Sequence, residues 1–526
     1  MKSITFEVGL NLTIHMKRNQ ILLTILGALA LLTAVSCSRQ AGEFDYLYKD
    51  LPFNMEKVSR PVIPDYTVEL TDFGAVGDGV TLNTDAFAAA MQHLSGKGGG
   101  HLNVPAGLWL TGPIEILSNC DLHLTDNAVI IFDPDRDLYP VISTVFEGLD
   151  TRRCESPLHA ENAKNISVTG RGVIDGNGDA WRMVKKSKMA EGEWARLLAS
   201  GGVLSEDGKT WYPDEGFLKA TKMSNMNVPK GDLTEAQWAE IKSFLRPNLV
   251  QFRGCENVLL EGVTFQNSPC WNVHPLMCKN LIVNRVNIRN PWYSQNGDAI
   301  DVDSCENVLI VNSTFDAGDD GICIKSGKDA DGRRRARPCK NLIVDNCTVF
   351  HGHGGFTVGS EMSGGVENIK VSNCRFLGTD VGLRFKSTRG RGGVVKNIHI
   401  DNIYMKDILA EGVLFDLFYG GKSAVDAAAD GSPIVDEPAK PVDETTPEFR
   451  DIYIRNVFCN GAARAMFFNG LPEMPVTNIN ITDCTVTADT GIDLRNSQDI
   501  TFKNVKCFPK SGDAVSTWKV KNFTNE

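Results

Sequence analysis

Cys255-Glu-Asn-Val-Leu-Leu260, Cys278-Lys-Asn-Leu-Ile-Val283, Cys305-Glu-Asn-Val-Leu-Ile310 and Cys339-Lys-Asn-Leu-Ile-Val344 are four copies of one phrase. Each is a small or apolar residue, any residue, Asn, then a short apolar run. The phrase returns at Val366-Glu-Asn368 and Val395-Lys-Asn397, and weaker copies centre on Asp121, Asn165, Asp451, Asn478 and Asp499. From Asn257 onward the Asn/Asp positions are 21–34 residues apart, with one interval of 54 that reads as two turns or as one turn carrying an insertion. A period in the twenties built from short β-rich runs marks a solenoid. Leucine-rich repeats share the period, but their Leu spacing is absent. The expected fold is all-β, a parallel β-helix whose coils are several short strands joined by turns.

The columns of the repeat agree. Six residues after each Asn/Asp stand Val263, Val286, Ser313, Cys347, Cys374, Ile403, Val457, Cys484 and Val505. Two before it stand Cys255, Cys278, Cys305, Cys339, Val366 and Val395. Cys alternates with Val and Ile, so most thiols are expected as small buried hydrophobes. Metal ligation would need clustered His or CxxC spacing, and the sequence contains no CxxC; neither a structural metal nor a cofactor is expected. The recurring Asn is expected to hydrogen-bond from coil to coil.

The chain has 526 residues, 42% of them hydrophobic, and net charge −11. This excludes a disordered chain and argues against nucleic-acid binding, which needs a basic surface. Met16-Lys-Arg18 precedes an apolar run from Ile21 to Val35, the pattern of an export signal over residues 1–36. Met16 is a plausible true start. Ala34-Val-Ser-Cys37 resembles a loose lipobox, which would place a lipid on Cys37 and the protein at the outer membrane; a plain signal peptide is the alternative. Cleavage removes Lys2, Lys17, Arg18 and Glu7, three positive charges and one negative, which takes −11 to −13. Residues 37–67 read as a linker, 68–510 as the solenoid and 511–526 as a tail.

Two insertions interrupt the rhythm, at 182–246 and 420–447. The first carries a capping box, Thr234-Glu-Ala-Gln237, opening a helix expected to run to about Leu245. Its Trp194, Trp211 and Tyr212 suit either sugar stacking or core packing. With Tyr419 at the base of the second insertion, the two would wall the ends of a cleft. Asp72-Phe-Gly-Ala-Val-Gly-Asp-Gly79 lacks the Walker and Rossmann spacings and reads as a turn before a helix, with Phe87, Met91 and Leu94 on one face, that plugs the solenoid.

The chemistry gathers on four successive coils. Asn296-Gly-Asp298 and Gly318-Asp-Asp320 put carboxylates one coil apart, where parallel strands rise about 4.8 Å. Crowded carboxylates split into a protonated acid and an ionised base, the equipment of glycoside hydrolysis. Turn aspartates, or a calcium site helped by Asp301 and Asp303, are the competing readings. Gly352-His-Gly-Gly355 falls one coil on and Arg384-Phe-Lys386 another, the two cations straddling an inward Phe385. Cations beside carboxylates suit an anionic sugar. Against a net negative chain, Lys325, Lys328, Arg333, Arg334, Arg335, Arg337, Arg389 and Arg391 are further candidates to attract a polyanion, or a solvated face.

On these motifs the chain resembles glycoside hydrolase family 28, the polygalacturonases. The likeness covers roughly residues 68–510 and includes Val104-Pro-Ala-Gly107, Thr111-Gly-Pro113 and Ile174-Asp-Gly-Asn-Gly178. Asn-Gly-Asp in place of the fungal Asn-Thr-Asp, Phe in place of Ile between the two cations, and Gly359-Ser-Glu-Met-Ser-Gly-Gly365 are similar to bacterial exo-acting members. The resemblance implies a right-handed, pectin-lyase-like β-helix and inverting hydrolysis of α-1,4-galacturonosidic bonds in pectin or polygalacturonate. It makes Asp319 the general acid, with Asp298 and Asp320 activating water, His353 tuning the acid, and Asn296, Arg384 and Lys386 binding substrate. Inversion sits awkwardly with stacked coils, because inverting carboxyls usually stand about 6.5–9.5 Å apart. Hydrolysis of rhamnogalacturonan or a decorated pectin, calcium-dependent lyase chemistry and a non-catalytic glycan-binding solenoid are the alternatives.

Overall fold

A computed structural model of the chain describes residues 42–421, Val425 and residues 437–526. The export segment, Cys37 and most of the 420–447 insertion lie outside the described residues. Residues 42–51 belong to a short N-terminal unit with a single 3-10 turn, Asp45–Tyr48.

From Pro52 onward the chain is a parallel β-helix, wound right-handed as expected for crossovers between parallel strands. One face holds the strands Leu158–Glu161 (β1), Val250–Arg253 (β2), Val273–Leu276 (β3), Ile300–Asp303 (β4), Ile322–Lys325 (β5), Phe356–Val358 (β6) and Leu383–Lys386 (β7). They pair in parallel in that order. A second face carries the recurring phrase, pairing Leu281 with Val308 and Leu342 with Ile369. A third is made of short strands such as Asn287–Arg289 and Thr314–Asp316. Alternate residues point into one continuous apolar core, which runs from Leu70 to Phe502.

The Asn ladder forms as the repeat implies. Asn280 donates to Asn257, Asn307 to Asn280, Asn341 to Asn307, Asn368 to Asn341 and Asn397 to Asn368, at 2.7–3.2 Å. Each of these residues has φ between 56° and 59°, the left-handed region that Asn tolerates better than other side chains. At its N-terminal end the ladder departs from the expected register: Asn165 donates to Asn119, not to Asp121. Asp121 lies two residues further on and accepts from Ser167 and Thr169 instead. A second ladder, unforeseen, runs from Asn284 through Asn312 to Asn346.

The 54-residue interval is one coil with an insertion, because Ile398 pairs directly with Ile452. Residues 511–526 are no tail: Val515–Asn525 is a strand paired in parallel with Thr490–Pro509. In the expected linker, Arg60 makes two 2.7 Å bonds to Glu261 and Phe53 packs at 6.3 Å from His399, so residues 52–66 belong to the solenoid unit. All thirteen described cysteines are free, and all but Cys507 are buried. The plug is the helix Thr84–Gly96 (α1), which buries Phe87, Met91 and Leu94.

The 182–246 insertion is a small subdomain with the helices Glu191–Ala199 (α2), Glu215–Met223 (α3) and Glu235–Glu240 (α4). Thr234 and Gln237 form the capping box, but α4 ends at Glu240 and a separate 3-10 turn, Lys242–Phe244, follows; Ile241 between them leaves helical geometry at ψ 15°. Trp194 and Trp211 are buried against Val184, and Tyr212 packs on Phe217. These aromatics form the subdomain's cores and are not sugar platforms. An antiparallel hairpin, Val141–Phe146 with Leu149–Cys154, was not foreseen; its Phe146 stacks on Trp271 at 4.7 Å.

Candidate active site

Each site residue lies on a strand of the first face or on the turn entering one. Along the outward side of that face, Asp301 on β4, Cys323 on β5, Thr357 on β6 and Arg384 on β7 are in register. Their neighbours Ile300, Ile322, Phe356 and Leu383 fill the core. Asp298, Asp319–Asp320 and His353 come from the turns before β4, β5 and β6. Close contact between turns demands glycine at Gly352, which has φ 144° and where a Cβ would sit 2.6 Å from the Asp319 carbonyl oxygen. At the same junction the His353 amide donates to that oxygen at 2.7 Å.

The turn aims the two vicinal aspartates at different partners within one site. Asp320 is buried and accepts from Arg384 Nη1 at 3.0 Å, Lys386 Nζ at 2.8 Å and Thr357 Oγ1 at 3.2 Å. Burial would raise its pKa, but Lys386 and Arg384 hold the carboxyl far below the usual range, so it is ionised. Asp319 Oδ1 stands 3.0 Å from His353 Nδ1, and His353 Nε2 is 3.8 Å from Asp380. Burial works against charge on both partners; their mutual attraction wins, lowering Asp319 and raising His353. The pair therefore holds one proton, resting on the imidazole and able to cross to Asp319 along the hydrogen bond.

Asp298 is shifted the opposite way from Asp319 and Asp320. Burial first, then repulsion from Asp301 and Asp319, drives its pKa well above the usual value. One carboxylate oxygen each from Asp298 and Asp320 lie within 4.8 Å of each other and of Cys323 Sγ. Lys325 Nζ is 3.0 Å from Asp301, 3.6 Å from Asp298 and 3.5 Å from the Trp271 ring centroid. An ammonium thus already supplies the positive charge between Asp298 and Asp301 that the calcium reading assigned to an ion, and His274 stands 3.7 Å from Asp303. The donor set does not fit calcium, which takes six to eight oxygens.

Asp298, Asp319, Asp320, His353, Arg384 and Lys386, the six residues marked by the sequence motifs, come together in the structure. Asn296 is at the edge, with φ 54° and its side-chain oxygen taken by Arg246 at 3.0 Å. Arg384 and Lys386 differ from expectation in already serving Asp320. Tyr419 joins them, its ring centroid 4.9 Å from Lys386 Nζ. Asp380 was missed, although Gly378-Thr-Asp380 precedes β7 as Gly352-His353 precedes β6. The surrounding basic run is structural: Arg334 and Arg335 bind Asp150, Arg389 binds Glu473, Arg391 binds Asp329 and Lys328 faces Glu147.

A cavity of about 310 Å³ opens on Asp319, His353 and Asp380, and Lys185, Lys188 and Trp292 also line it. A larger groove of about 820 Å³ lies over the second face, floored by His101, Asp121 and Thr169. Those groups bond to one another, and the groove contains none of the six site residues.

Residues 236–461 match the family model of glycosyl hydrolases family 28. The chain is 29% identical over 467 residues to an exo-poly-alpha-D-galacturonosidase of Dickeya chrysanthemi, covering 87% of this chain and 70% of that protein. It is 29% identical over 431 residues to a probable polygalacturonase of Vitis vinifera, covering 80% and 74% respectively. Among solved structures, the hyperthermoactive exopolygalacturonase from Thermotoga maritima superposes with a TM-score of 0.69 at 32% identity, covering 87% of this chain and 95% of that one.

Proposed function

The chain belongs to glycosyl hydrolases family 28, and from that membership and the site's geometry we infer that it hydrolyses the galacturonosidic bonds of pectin. The observation that carries the reading is one proton-bearing pair, Asp319–His353, beside one ionised carboxylate, Asp320, held by two cations. Asp319, supplied with its proton by His353, acts as general acid on the glycosidic oxygen. Asp320, with Asp298 beside it, holds the attacking water. A galacturonate carboxylate arriving at Arg384 and Lys386 competes with Asp320 for them. Drawing them away raises the basicity of Asp320 when substrate is in place. Water attacking from the side opposite the acid gives inversion.

We further propose exo action, in keeping with relatives described as exo-acting and with the insertion that flanks the cavity. The enzyme should release galacturonate or a short oligomer from the first minutes, while the viscosity of long polygalacturonate barely falls. A fast viscosity drop with a ladder of intermediate oligomers would refute the exo mode and leave hydrolysis standing. Parallel incubation with rhamnogalacturonan, expected to yield no products, separates the nearest alternative substrate.

Export as an outer-membrane lipoprotein is also proposed, on the Ala34-Val-Ser-Cys37 motif. Labelled palmitate should enter the wild-type protein and not Cys37→Ser; equal labelling of the two would remove the proposal.

A further inference from the structure

Pectin is a polyanion and this chain carries net charge −11, so uronate carboxylates other than the one that competes for Arg384 and Lys386 call for further cations. At the catalytic turns those cations are engaged: Arg384 and Lys386 with Asp320, Lys325 with Asp301, His353 with Asp319. Lys185 and Lys188 differ. Both line the 310 Å³ cavity that opens on Asp319 and His353; among the described residues neither makes an ion pair, and Lys188 acts on Asp380 of the same cavity only at longer range.

Their placement is built into the insertion. Lys185 ends the strand Val184–Lys185, which pairs with Thr210–Tyr212 so that Val184 faces Trp211. Lys188 ends the following 3-10 turn, Lys186–Lys188, and its Nζ lies 4.9 Å from the ring centroid of Trp292. Both lysines are half-buried, whereas Lys186 between them is exposed. The buried Val184, Trp194 and Trp211 thus anchor two ammonium groups in the lining of the catalytic cavity, and the Trp292 ring steadies one of them.

We propose that Lys185 and Lys188 form a binding site for the carboxylate of a uronate residue on the leaving-group side of the cleaved bond. The side follows from the cavity's lining, which includes the acid Asp319 and its partner His353 but neither Asp298 nor Asp320. An acid that protonates the glycosidic oxygen stands next to the sugar that departs on it. This inference rests on the hydrolase reading above, and it assigns to the insertion a role in choosing free uronate over its neutral methyl ester.

The test compares wild type, Lys186→Gln, and the double variant Lys185→Gln/Lys188→Gln on trigalacturonate and on its methyl ester. Charge-assisted contacts of this kind lead to an expected rise in KM of about tenfold or more for the free acid in the double variant, with kcat changed less than about threefold. The preference for acid over ester should shrink by the same factor, and the dependence of KM on salt should flatten. Lys186→Gln should behave as wild type. If wild type releases galacturonate and the double variant keeps its KM and its ester discrimination, the lysine site is wrong and the hydrolase reading stands. If kcat alone falls in the double variant, the lysines act on the turn's structure and the proposal is also overturned. If wild type releases nothing from either compound, the hydrolase reading itself fails and this site falls with it.

Discussion

Single residues divide the labour of the site by charge state. Asp319→Asn removes the acid while keeping its shape; turnover should fall by about 10²–10⁴-fold with oligogalacturonate binding retained. More than a tenth of wild-type activity would contradict the assignment. The imidazole sets the alkaline limb: burial works against its charge, but Asp319 raises His353 above 6.5, so the pair keeps its proton until pH passes that raised value and activity then declines. In His353→Gln the limb follows Asp319, a carboxyl that burial raises from a starting value of 3.8, so it should move to lower pH; an unmoved limb in a pH–rate profile would clear His353 of this role. Asp320 has the opposite sense. Its folded pKa is depressed, so the stability it contributes is present above the ordinary value of 3.8 and is lost as pH falls below it. Asp320→Ala leaves Arg384 and Lys386 buried without that partner and should cost about 3–5 kcal/mol, measurable by denaturant unfolding, whereas Asp319→Asn should cost little.

At the scale of elements, the coil is legible because each position in it answers to one physical demand. The left-handed turn selects Asn, the inward column selects Val, Ile or a small Cys, and both recur often enough to be counted. Asn307 tests this. It is buried, has φ 59°, and bridges Asn280 and Asn341. Asn307→Ala loses two ladder bonds and strains the backbone, together about 2–5 kcal/mol. Asn307→Gly should recover about 1 kcal/mol of that by relieving the strain; equal losses would show that the left-handed turn is not what selects Asn. The columns imply that most thiols are free, and the structure leaves all thirteen described cysteines unpaired, so titration in denaturant without reductant should count thirteen between Cys120 and Cys507; a count near one would mean a disulfide framework. What was not legible follows from the same reasoning. Asn119 and Asp121 are two residues apart in a weak copy, and only the pairing of Ser167 with Asp121 settles which joins the ladder. The insertion has no period, so its tryptophans gave no clue whether they faced a core or a sugar, and Lys185 and Lys188 had no pattern to mark them. The partnership of Arg384 and Lys386 with Asp320 depends on side-chain reach across two coils, which spacing along the chain does not encode.

For the whole molecule, the solenoid's regular rise explains why groups from residues 298 to 386 meet without any long-range folding device. Four turns stacked in a parallel sheet bring their polar groups to one face, and an apolar core from Leu70 to Phe502 keeps them there. The central claim is that this face hydrolyses galacturonosidic bonds with Asp319 as its acid. The most direct measurement is mass analysis of the products that wild type and Asp319→Asn release from polygalacturonate without added calcium. The account predicts saturated galacturonate products, each one water heavier than an elimination product, from wild type and almost none from Asp319→Asn. Unsaturated products absorbing in the ultraviolet, or equal release by the two proteins, would contradict it.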